Sequence, residues 1–174
     1  GVDWSHINIP SPLSPSWIAL DKNTGELIGE DGSGTSANAL HAAWSSLTYG
    51  KIDGQDILYW GGSDGFLYAY GNEAIKDEEG FDLFHPIWKV DCNEPSYRKD
   101  KDGKKIPYAT PPGPSELIGT PVLYKNKIYC AIGQDPEHGD GVGRLSCIDA
   151  ETGVVVWKYT EVGRTISTVS VADD

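Results

Sequence analysis

Apolar and polar positions alternate most clearly near the end of the chain, between residues 144 and 159. The stretch 145–149 alternates with the period of two that a β-strand needs. Asp149-Ala-Glu-Thr-Gly153 then provides side chains that hydrogen-bond local backbone and a glycine that tolerates positive φ, as a tight turn requires. The β-branched and aromatic run Val154–Trp157 follows it. The pattern predicts a β-hairpin.

The same hairpin pattern occurs near the start of the chain. Asp21-Lys-Asn-Thr-Gly25 corresponds to Asp149-Ala-Glu-Thr-Gly153 and is likewise preceded by an aliphatic residue. One position differs, because Gly29 stands where Trp157 follows the later turn. We therefore expect residues 17–31 to form the last two strands of a repeating unit.

Between and after these hairpins, short apolar runs separated by turn residues recur in groups of four. The runs that we interpret as strands are 43–49, 57–60, 66–70 and 86–90 in one group, and 117–122, 127–132, 145–148 and 154–159 in the next. A charged interruption, Lys76–Gly80, separates two strands of the earlier group, and a final run at 164–171 resembles the first strand of each group. Consecutive strands joined by turns form an antiparallel meander, so each group predicts one four-stranded sheet.

Four-stranded units that repeat along a chain are the sequence signature of β-propeller blades, which bury their faces against one another. We predict an all-β fold, a β-propeller segment of four-stranded antiparallel blades that forms a single partial domain over residues 1–174. Its predicted parts are a Pro-rich arm (1–16), the end of one blade (17–31), a blade (43–92), an insertion loop (93–115), a blade (116–160) and the first strand of the next blade (164–172).

Such a segment cannot close a ring by itself, and an unpaired sheet edge favours aggregation. We therefore expect a fragment of a larger propeller. Either the missing blades of the same protein or further copies of this chain would close it. The absence of Met from the sequence agrees with a fragment or a processed product.

Composition narrows the classes of function. The net charge of −12, from 14 basic and 26 acidic residues, opposes binding to nucleic acid, whose phosphates need clustered Lys and Arg. No apolar run approaches the ~18 residues of a membrane span, so membrane insertion is not expected. Cys92, Cys130 and Cys147 have neither CxxC nor CxxCH spacing, and the strand pattern around the last two predicts buried thiols.

A polar loop between the second and third strands of the later blade is longer than a turn needs. Asp135, Glu137, His138 and Asp140 place carboxylate and imidazole groups within one short segment. Hard cations such as Ca²⁺ prefer several oxygen ligands, so Asp135, Glu137 and Asp140 are the candidate metal ligands. The spacing of an EF-hand is absent, and the alternative is a polar turn held by its own hydrogen bonds.

The other candidate binding residues are dispersed in sequence and lie beside predicted strand ends. His6, His41 and Arg164 are expected either to meet His138 at one mouth of the propeller, where convergent polar groups form the usual binding site, or to make structural hydrogen bonds only. Trp44 lies on a predicted strand, where it either fills the space between blades or offers its ring to a ligand. No triad order, nucleophile elbow, phosphate loop or HExxH motif occurs, so no catalytic residue is predicted.

Two segments resemble the repeat of pyrroloquinoline-quinone-type propellers. They are Cys147-Ile-Asp149 with Thr152-Gly153 and Trp157, and Gly62-Ser-Asp-Gly-Phe-Leu-Tyr-Ala69. In that family, which includes quinoprotein alcohol dehydrogenases and the barrel-assembly scaffold propeller, the Trp docks between adjacent blades. The segments Gly1–His6, Gly133–Gly139 and Gly163–Thr168 are also similar to bacterial propellers of planctomycete type.

The resemblance implies pyrroloquinoline quinone and Ca²⁺ as the cofactors of an active member, and a periplasmic or other extracytoplasmic location. This chain departs from the dehydrogenases, because no two of its cysteines are adjacent and their calcium-binding carboxylates find no counterpart in it. We predict a noncatalytic propeller module that binds a ligand or partner or serves as a scaffold. The alternatives are part of a quinone-dependent dehydrogenase whose cofactor ligands lie on missing blades, and a divalent-cation-binding segment.

Overall fold

A computed structural model gives the fold and describes residues 7–108, 113–134 and 142–172. Within these ranges the strands, in chain order, are β1 (Ile18–Leu20), β2 (Leu27–Asp31), β3 (Thr48–Ile52), β4 (Gln55–Gly61), β5 (Phe66–Tyr70), β6 (Ile75–Lys76), β7 (Asp82–Phe84), β8 (Pro86–Asp91), β9 (Val122–Tyr124), β10 (Lys127–Ile132), β11 (Arg144–Asp149) and β12 (Val155–Tyr159). The described helices are a 3-10 turn, Thr35–Asn38, and α1, Pro95–Arg98. Neither is long or apolar enough to cross a membrane.

The strands form three four-stranded sheets, which we call blades 1, 2 and 3. Blade 2 has the order β3-β4-β5-β8 and blade 3 the order β9-β10-β11-β12, and all neighbours in both are antiparallel. A two-residue turn joins the first two strands of blade 2, with positive φ at Asp53 and Gly54, as twisted hairpins prefer. These sheets confirm the two complete four-stranded units that the sequence predicts.

Blade 1 is assembled from two distant segments of the chain. β1 and β2 pair antiparallel, as predicted, and β7 then adds to β2 in parallel with β6 outside it. The β6–β7 hairpin leaves blade 2 between β5 and β8, where the sequence shows only the charged interruption Lys76–Gly80. Asp77 forms its turn, because the Asp77 carboxylate accepts backbone hydrogen bonds from Glu79 (3.0 Å) and Phe81 (2.8 Å).

The first strands of blades 2 and 3 begin later than the sequence predicts. The observed ranges are Thr48–Ile52 against a predicted 43–49, and Val122–Tyr124 against a predicted 117–122. The predicted strand at 164–171 has no partner strand among the described residues, so it stays a prediction. These stretches cross from blade to blade, and some of their backbone N–H groups donate to hydroxyls of a neighbouring stretch rather than to a strand ladder. Ser46 N donates to Thr120 Oγ1 (3.3 Å), and Thr120 N donates to Thr168 Oγ1 (3.2 Å).

Two clusters of buried side chains lie between the blades. The first seam, between blades 1 and 2, contains Trp17, Trp60, Tyr68, Tyr70 and Phe84. The second seam, between blades 2 and 3, contains Ile52, Ile57, Tyr59, Leu67, Ala69, Cys92, Leu117, Ile128, Cys130, Ile132, Ile148 and Ala150. Alternate residues of the two middle strands of blade 2 face opposite seams, which explains why the run 57–60 of β4 and all of β5 are apolar.

In the second seam, a tryptophan of blade 2 lies against the tight turn of blade 3. Trp88 packs on the turn at Gly153, where an added Cβ would lie 2.8 Å from Trp88 Cε3. Gly153 also has a φ of +73°, so both the backbone conformation and the close approach of Trp88 favour glycine at this position. Tyr59 OH donates to Ala150 O of the same turn at 2.8 Å. The seam thus joins side chains of one blade to backbone of the next.

Candidate functional site

The connections that follow β2, β4, β8 and β10 leave the blades at one end, because antiparallel strands alternate in direction. Cross-links hold these connections together. Leu117 N donates to Gly62 O (3.2 Å), Ser115 N donates to Asn93 Oδ1 (2.8 Å), and Ser115 Oγ donates to Val142 O (3.0 Å). We call this end of the blades the loop face, and it carries the polar clusters described next.

The first cluster on the loop face surrounds the carboxylate of Glu116, which is fully buried. Tyr108 OH donates to Glu116 Oε1 at 2.8 Å. His41 Nδ1 lies 4.0 Å from Glu116 Oε2 and accepts a hydrogen bond from Trp44 Nε1 at 3.3 Å. Nδ1 can accept the indole hydrogen bond only in the tautomer of His41 that carries its proton on Nε2. The cluster brings together an imidazole, an indole and a buried carboxylate.

The second cluster is organised by Arg98 at the end of α1. Its guanidinium binds Asp91 through two bonds, Nε to Oδ2 (2.9 Å) and Nη2 to Oδ1 (2.7 Å), and Nη2 also donates to Asp64 O (2.7 Å). The Asp64 carboxylate accepts a hydrogen bond from Tyr68 OH at 2.6 Å. Burial raises the pKa of Asp64, and the bond from Tyr68 offsets part of that rise.

A buried arginine, Arg144, ties blade 2 to blade 3 beneath the loop face. It is 4 % exposed and donates to the backbone oxygens of Asp91 and Asn93, each at 3.2 Å. It also donates to Glu94 Oε1 at 3.2 Å, and Lys158 Nζ lies 2.6 Å from the same oxygen. The hydrogen bond from Lys158 is the main reason that the pKa of Glu94 lies below its usual range. All these bonds are internal to the fold, so Arg144 is structural.

A cleft of about 600 Å³ opens on the loop face between the β4–β5 turn and the segment that follows β8. Three cations line it, Lys89, Arg98 and Lys105, together with the ring of Phe66. Lys89 Nζ lies 5.3 Å and Arg98 Cζ lies 5.0 Å from the centre of that ring. Ser63 is 6 % exposed, and its Oγ has no hydrogen-bond partner among the described residues. Asp64 lines the cleft as well and Arg98 is paired with Asp91, so the excess positive charge of the cleft comes from Lys89 and Lys105.

The structure describes three of the predicted binding residues, and it brings two of them together. His41 and Trp44 lie together in the first cluster. Arg164 lies at the same end of the blades, on the segment that passes over Gly133. The remaining predicted residues, His6, Asp135, Glu137, His138 and Asp140, lie outside the described residues. Among the described residues, no group of three His, Cys, Asp or Glu side chains could hold a metal ion.

Sequence reasoning missed Glu116, Asp64 and the Arg98–Asp91 pair. Glu116 immediately precedes a predicted strand and has no local signal, because its partners come from other connections. Arg98 lies in the predicted insertion loop (93–115), where no local pattern indicates that it binds Asp91 seven positions earlier. Only the folded connections bring these groups together.

Comparison with known proteins supports the fold alone. No family model and no curated protein sequence matches the chain. Among solved structures, BamB from Moraxella catarrhalis is similar at 14% identity with a TM-score of 0.50, over 87% of this chain and 36% of BamB. The quinohemoprotein alcohol dehydrogenase ADHIIG from Pseudomonas putida HK5 is similar at 21% identity with a TM-score of 0.52, over 84% of this chain and 18% of that protein.

The chain has a β-propeller fold. The fold predicted from the pyrroloquinoline-quinone-type repeat is thereby confirmed. The chain spans about a third of the length of BamB and less than a fifth of the length of the dehydrogenase. In the propeller, the loop face is the end at which the blade-to-blade connections meet, so the cleft lined by Lys89, Arg98 and Lys105 lies among those connections.

Proposed function

We propose that the chain is a noncatalytic propeller module that binds a small organic anion in the loop-face cleft. The observation that carries this proposal is the cleft itself, which is lined by Lys89, Arg98, Lys105 and the Phe66 ring and contains the buried hydroxyl of Ser63. A volume of about 600 Å³ suits a small molecule, since ligand clefts commonly span ~300–1,000 Å³. The cations favour a carboxylate, and the Phe66 ring favours an apolar or aromatic body.

Benzoate and its neutral isostere benzamide test this proposal by titration, followed through the backbone amide NMR signals of the chain. We expect benzoate to shift the signals of the β4–β5 turn and benzamide to shift them far less. Lys89→Gln should weaken benzoate binding roughly 3- to 10-fold, because one charge-assisted contact is lost. Lys22→Gln, on the exposed turn of blade 1, is the matched control. Equal binding of the two probes, or an unchanged affinity in Lys89→Gln, would contradict the proposal.

The alternative of a quinone-dependent dehydrogenase needs a calcium site, and the described residues do not fit one. The carboxylates of the loop face are committed to protein donors: Asp64 to Tyr68, Asp91 to Arg98, and Glu116 to Tyr108. They do not converge on one point where a cation could take several oxygens. A quinone and its Ca²⁺ would therefore need ligands from outside the described residues.

We also propose that a further blade covers the outer face of blade 3, supplied by the same protein or by another copy of the chain. The row Tyr129–Cys147–Trp157 on blade 3 corresponds to Tyr59–Ala69–Trp88 on blade 2. The paired rings lie 6.0 Å apart in one row and 5.9 Å in the other. Trp157 is 44% exposed, whereas Trp88 lies on the turn of its neighbour.

The mass of the chain in solution separates the two sources of that blade. An assembly that Trp157→Ala dissolves would assign the row to a second copy, and Gly25, whose Cβ position is open, is the expected contact on that copy. A monomer whose Trp157 fluorescence is quenched by acrylamide would assign the row to a blade outside this chain.

The proposed location is periplasmic or otherwise extracytoplasmic, which rests on the sequence resemblance and is tested by cell fractionation.

A further inference from the structure

Two buried cysteines from different blades face each other inside the second seam. Cys92 follows the last strand of blade 2, and Cys130 lies in β10 of blade 3. Their Sγ atoms are 3.8 Å apart, and each residue is 1% exposed. They are 38 positions apart in sequence, so the fold alone brings the two thiols into contact.

We propose that Cys92 and Cys130 form a disulfide that fastens blade 2 to blade 3. A disulfide has an S–S length of ~2.05 Å, so the two sulfur atoms must approach each other by less than ~2 Å. Rotation of the two side chains can supply part of that movement. Because the cysteines stand on separate blades, the bond would cross the seam and would not merely reinforce one sheet.

The proposed reaction is thiol–disulfide exchange with a disulfide oxidant such as oxidised glutathione. One cysteine thiolate attacks a sulfur of the oxidant, which forms a mixed disulfide and releases one glutathione thiolate. The second cysteine thiolate then attacks the protein sulfur of the mixed disulfide and releases the other glutathione thiolate. Two electrons pass from the cysteines to the oxidant, and the two thiol protons end on the released glutathione.

The third cysteine cannot replace either partner, because it faces the other way. In the sheet of blade 3, Cys130 pairs with Ser146, whereas Cys147 pairs with Tyr129. Neighbouring positions along a strand point to opposite faces, so Cys147 lies on the face that carries Trp157, away from the second seam. Cys147 is therefore a built-in control for this reaction.

Burial determines when the bond forms. The hydrogen bond with Cys92 and the loss of water both raise the pKa of the Cys130 thiol well above its usual value. A thiol in that state is a poor nucleophile, since the thiolate is the reactive form. Oxidation therefore takes place during folding, before the seam closes, or during an opening of the seam.

The test is refolding of the chain in a mixture of reduced and oxidised glutathione, followed by alkylation of the remaining thiols under denaturing conditions. We expect one alkylated cysteine, Cys147, and a peptide in which Cys92 and Cys130 are joined. We also expect the melting temperature to rise by roughly 5–15 °C over the reduced chain. Dithiothreitol should reverse both effects.

Cys147→Ser should keep the redox-dependent shift in melting temperature, and Cys92→Ser and Cys130→Ser should each abolish it. Because the shift is measured within each variant, a general loss of stability in any of them does not obscure the comparison. Three alkylated cysteines after oxidative refolding would overturn the proposal. A disulfide that includes Cys147, or glutathione left attached to Cys92 or Cys130, would overturn it as well.

Discussion

Each of the two seams of this propeller covers a cross-strand row of residues at the same position in its blade, but a different part of the chain covers each row. In blade 2 the row ends in Trp88, whose ring lies on Gly153 of the next blade. In blade 1 the equivalent row is Ala19 and Gly29, and Gly29 has no side chain to offer. There the ring of Phe84 fills the space instead, 2.9 Å from where a Cβ on Gly29 would stand. Phe84, from the β6–β7 hairpin, thus fills in the first seam the position that Trp88 fills in the second seam.

One insertion explains both differences. Blade 2 lacks a tight turn of the Asp149–Gly153 type between its last two strands, because the chain leaves there to build β6 and β7. That hairpin returns Phe84 to the first seam and adds β7 to the edge of β2. Blade 2, which has this hairpin in place of a tight turn, therefore covers blade 1, which has Gly29 in place of the tryptophan. A seam requires a filled volume and a covered edge, and more than one arrangement can supply them.

The largest effect is expected from Phe84→Ala, which empties the centre of the first seam. Phe84 is 3% exposed and contacts Trp17 at a ring distance of 5.4 Å. Loss of a buried phenyl ring should lower the free energy of unfolding by about 4 kcal/mol, measured by urea denaturation. Phe81→Ala, on the same hairpin but 51% exposed, is the control and should cost less than ~1 kcal/mol. Similar losses in both variants would mean that the hairpin does not fill the seam.

Trp88→Ala tests the second seam and should cost somewhat less. Trp88 is partly buried between Tyr59 and Gly153, so removal of its ring should lower the free energy of unfolding by about 3 kcal/mol. Trp157→Ala removes the equivalent side chain where no blade covers it among the described residues. Its cost should stay below ~1 kcal/mol in the isolated chain. Equal costs would show that the contact with Gly153 contributes nothing.

Gly29→Ala probes the first seam by addition of a single methyl group. Its Cβ would lie 2.7 Å from Asp82 O, a backbone atom that cannot move without shifting β7. We expect a loss of about 2 kcal/mol in the free energy of unfolding, as overpacking costs in a tight core. Gly71→Ala is the control, because a Cβ there meets no atom within 4 Å. A neutral Gly29→Ala would mean that the hairpin packs loosely on blade 1.

The sequence predicts the inner strands well and the blade-to-blade connections poorly, for physical reasons. The predicted runs 66–70 and 127–132 coincide with β5 and β10, because most positions of these inner strands are apolar and buried. The stretches before β3 and β9 are also apolar, but their backbone bonds go to neighbouring segments such as Thr120. Apolar composition does not show which partner takes the backbone hydrogen bonds.

The β6–β7 hairpin and the polar clusters escape prediction because their partners are remote. β7 is three residues long and pairs with β2, more than fifty positions earlier. His41 and Trp44 are three positions apart, so their contact was within reach of sequence reasoning, whereas Glu116 joins them from a different connection. Contacts between connections depend on how the blades stack, which no local pattern contains.

Asp149→Asn should give the smallest effect, and it depends on pH. Asp149 accepts bonds from Lys127 Nζ (2.7 Å) and from the backbone of Thr152 (3.1 Å), and these hold its pKa at about 2, with Lys127 the main cause. A carboxyl group whose pKa is lower in the folded state stabilises the fold above its unfolded pKa, near 4, and loses that contribution as pH falls towards 2. The side chain is 28% exposed, so solvent screening limits the contribution to about 1 kcal/mol.

Urea denaturation at several pH values measures this contribution on the turn that receives Trp88. The difference in free energy of unfolding between the wild-type chain and Asp149→Asn should be full at pH 6 and should shrink between about pH 4 and pH 2. Lys127→Gln should remove most of the same dependence, because Lys127 is the main cause of the lowered pKa. Asp21→Asn is the comparison on the turn of blade 1, where backbone bonds from Thr24 and Asn23 lower the pKa of Asp21. If Lys127→Gln left the dependence intact, the backbone bonds alone would hold the Asp149 charge, and the turns of the two blades would be electrostatically alike.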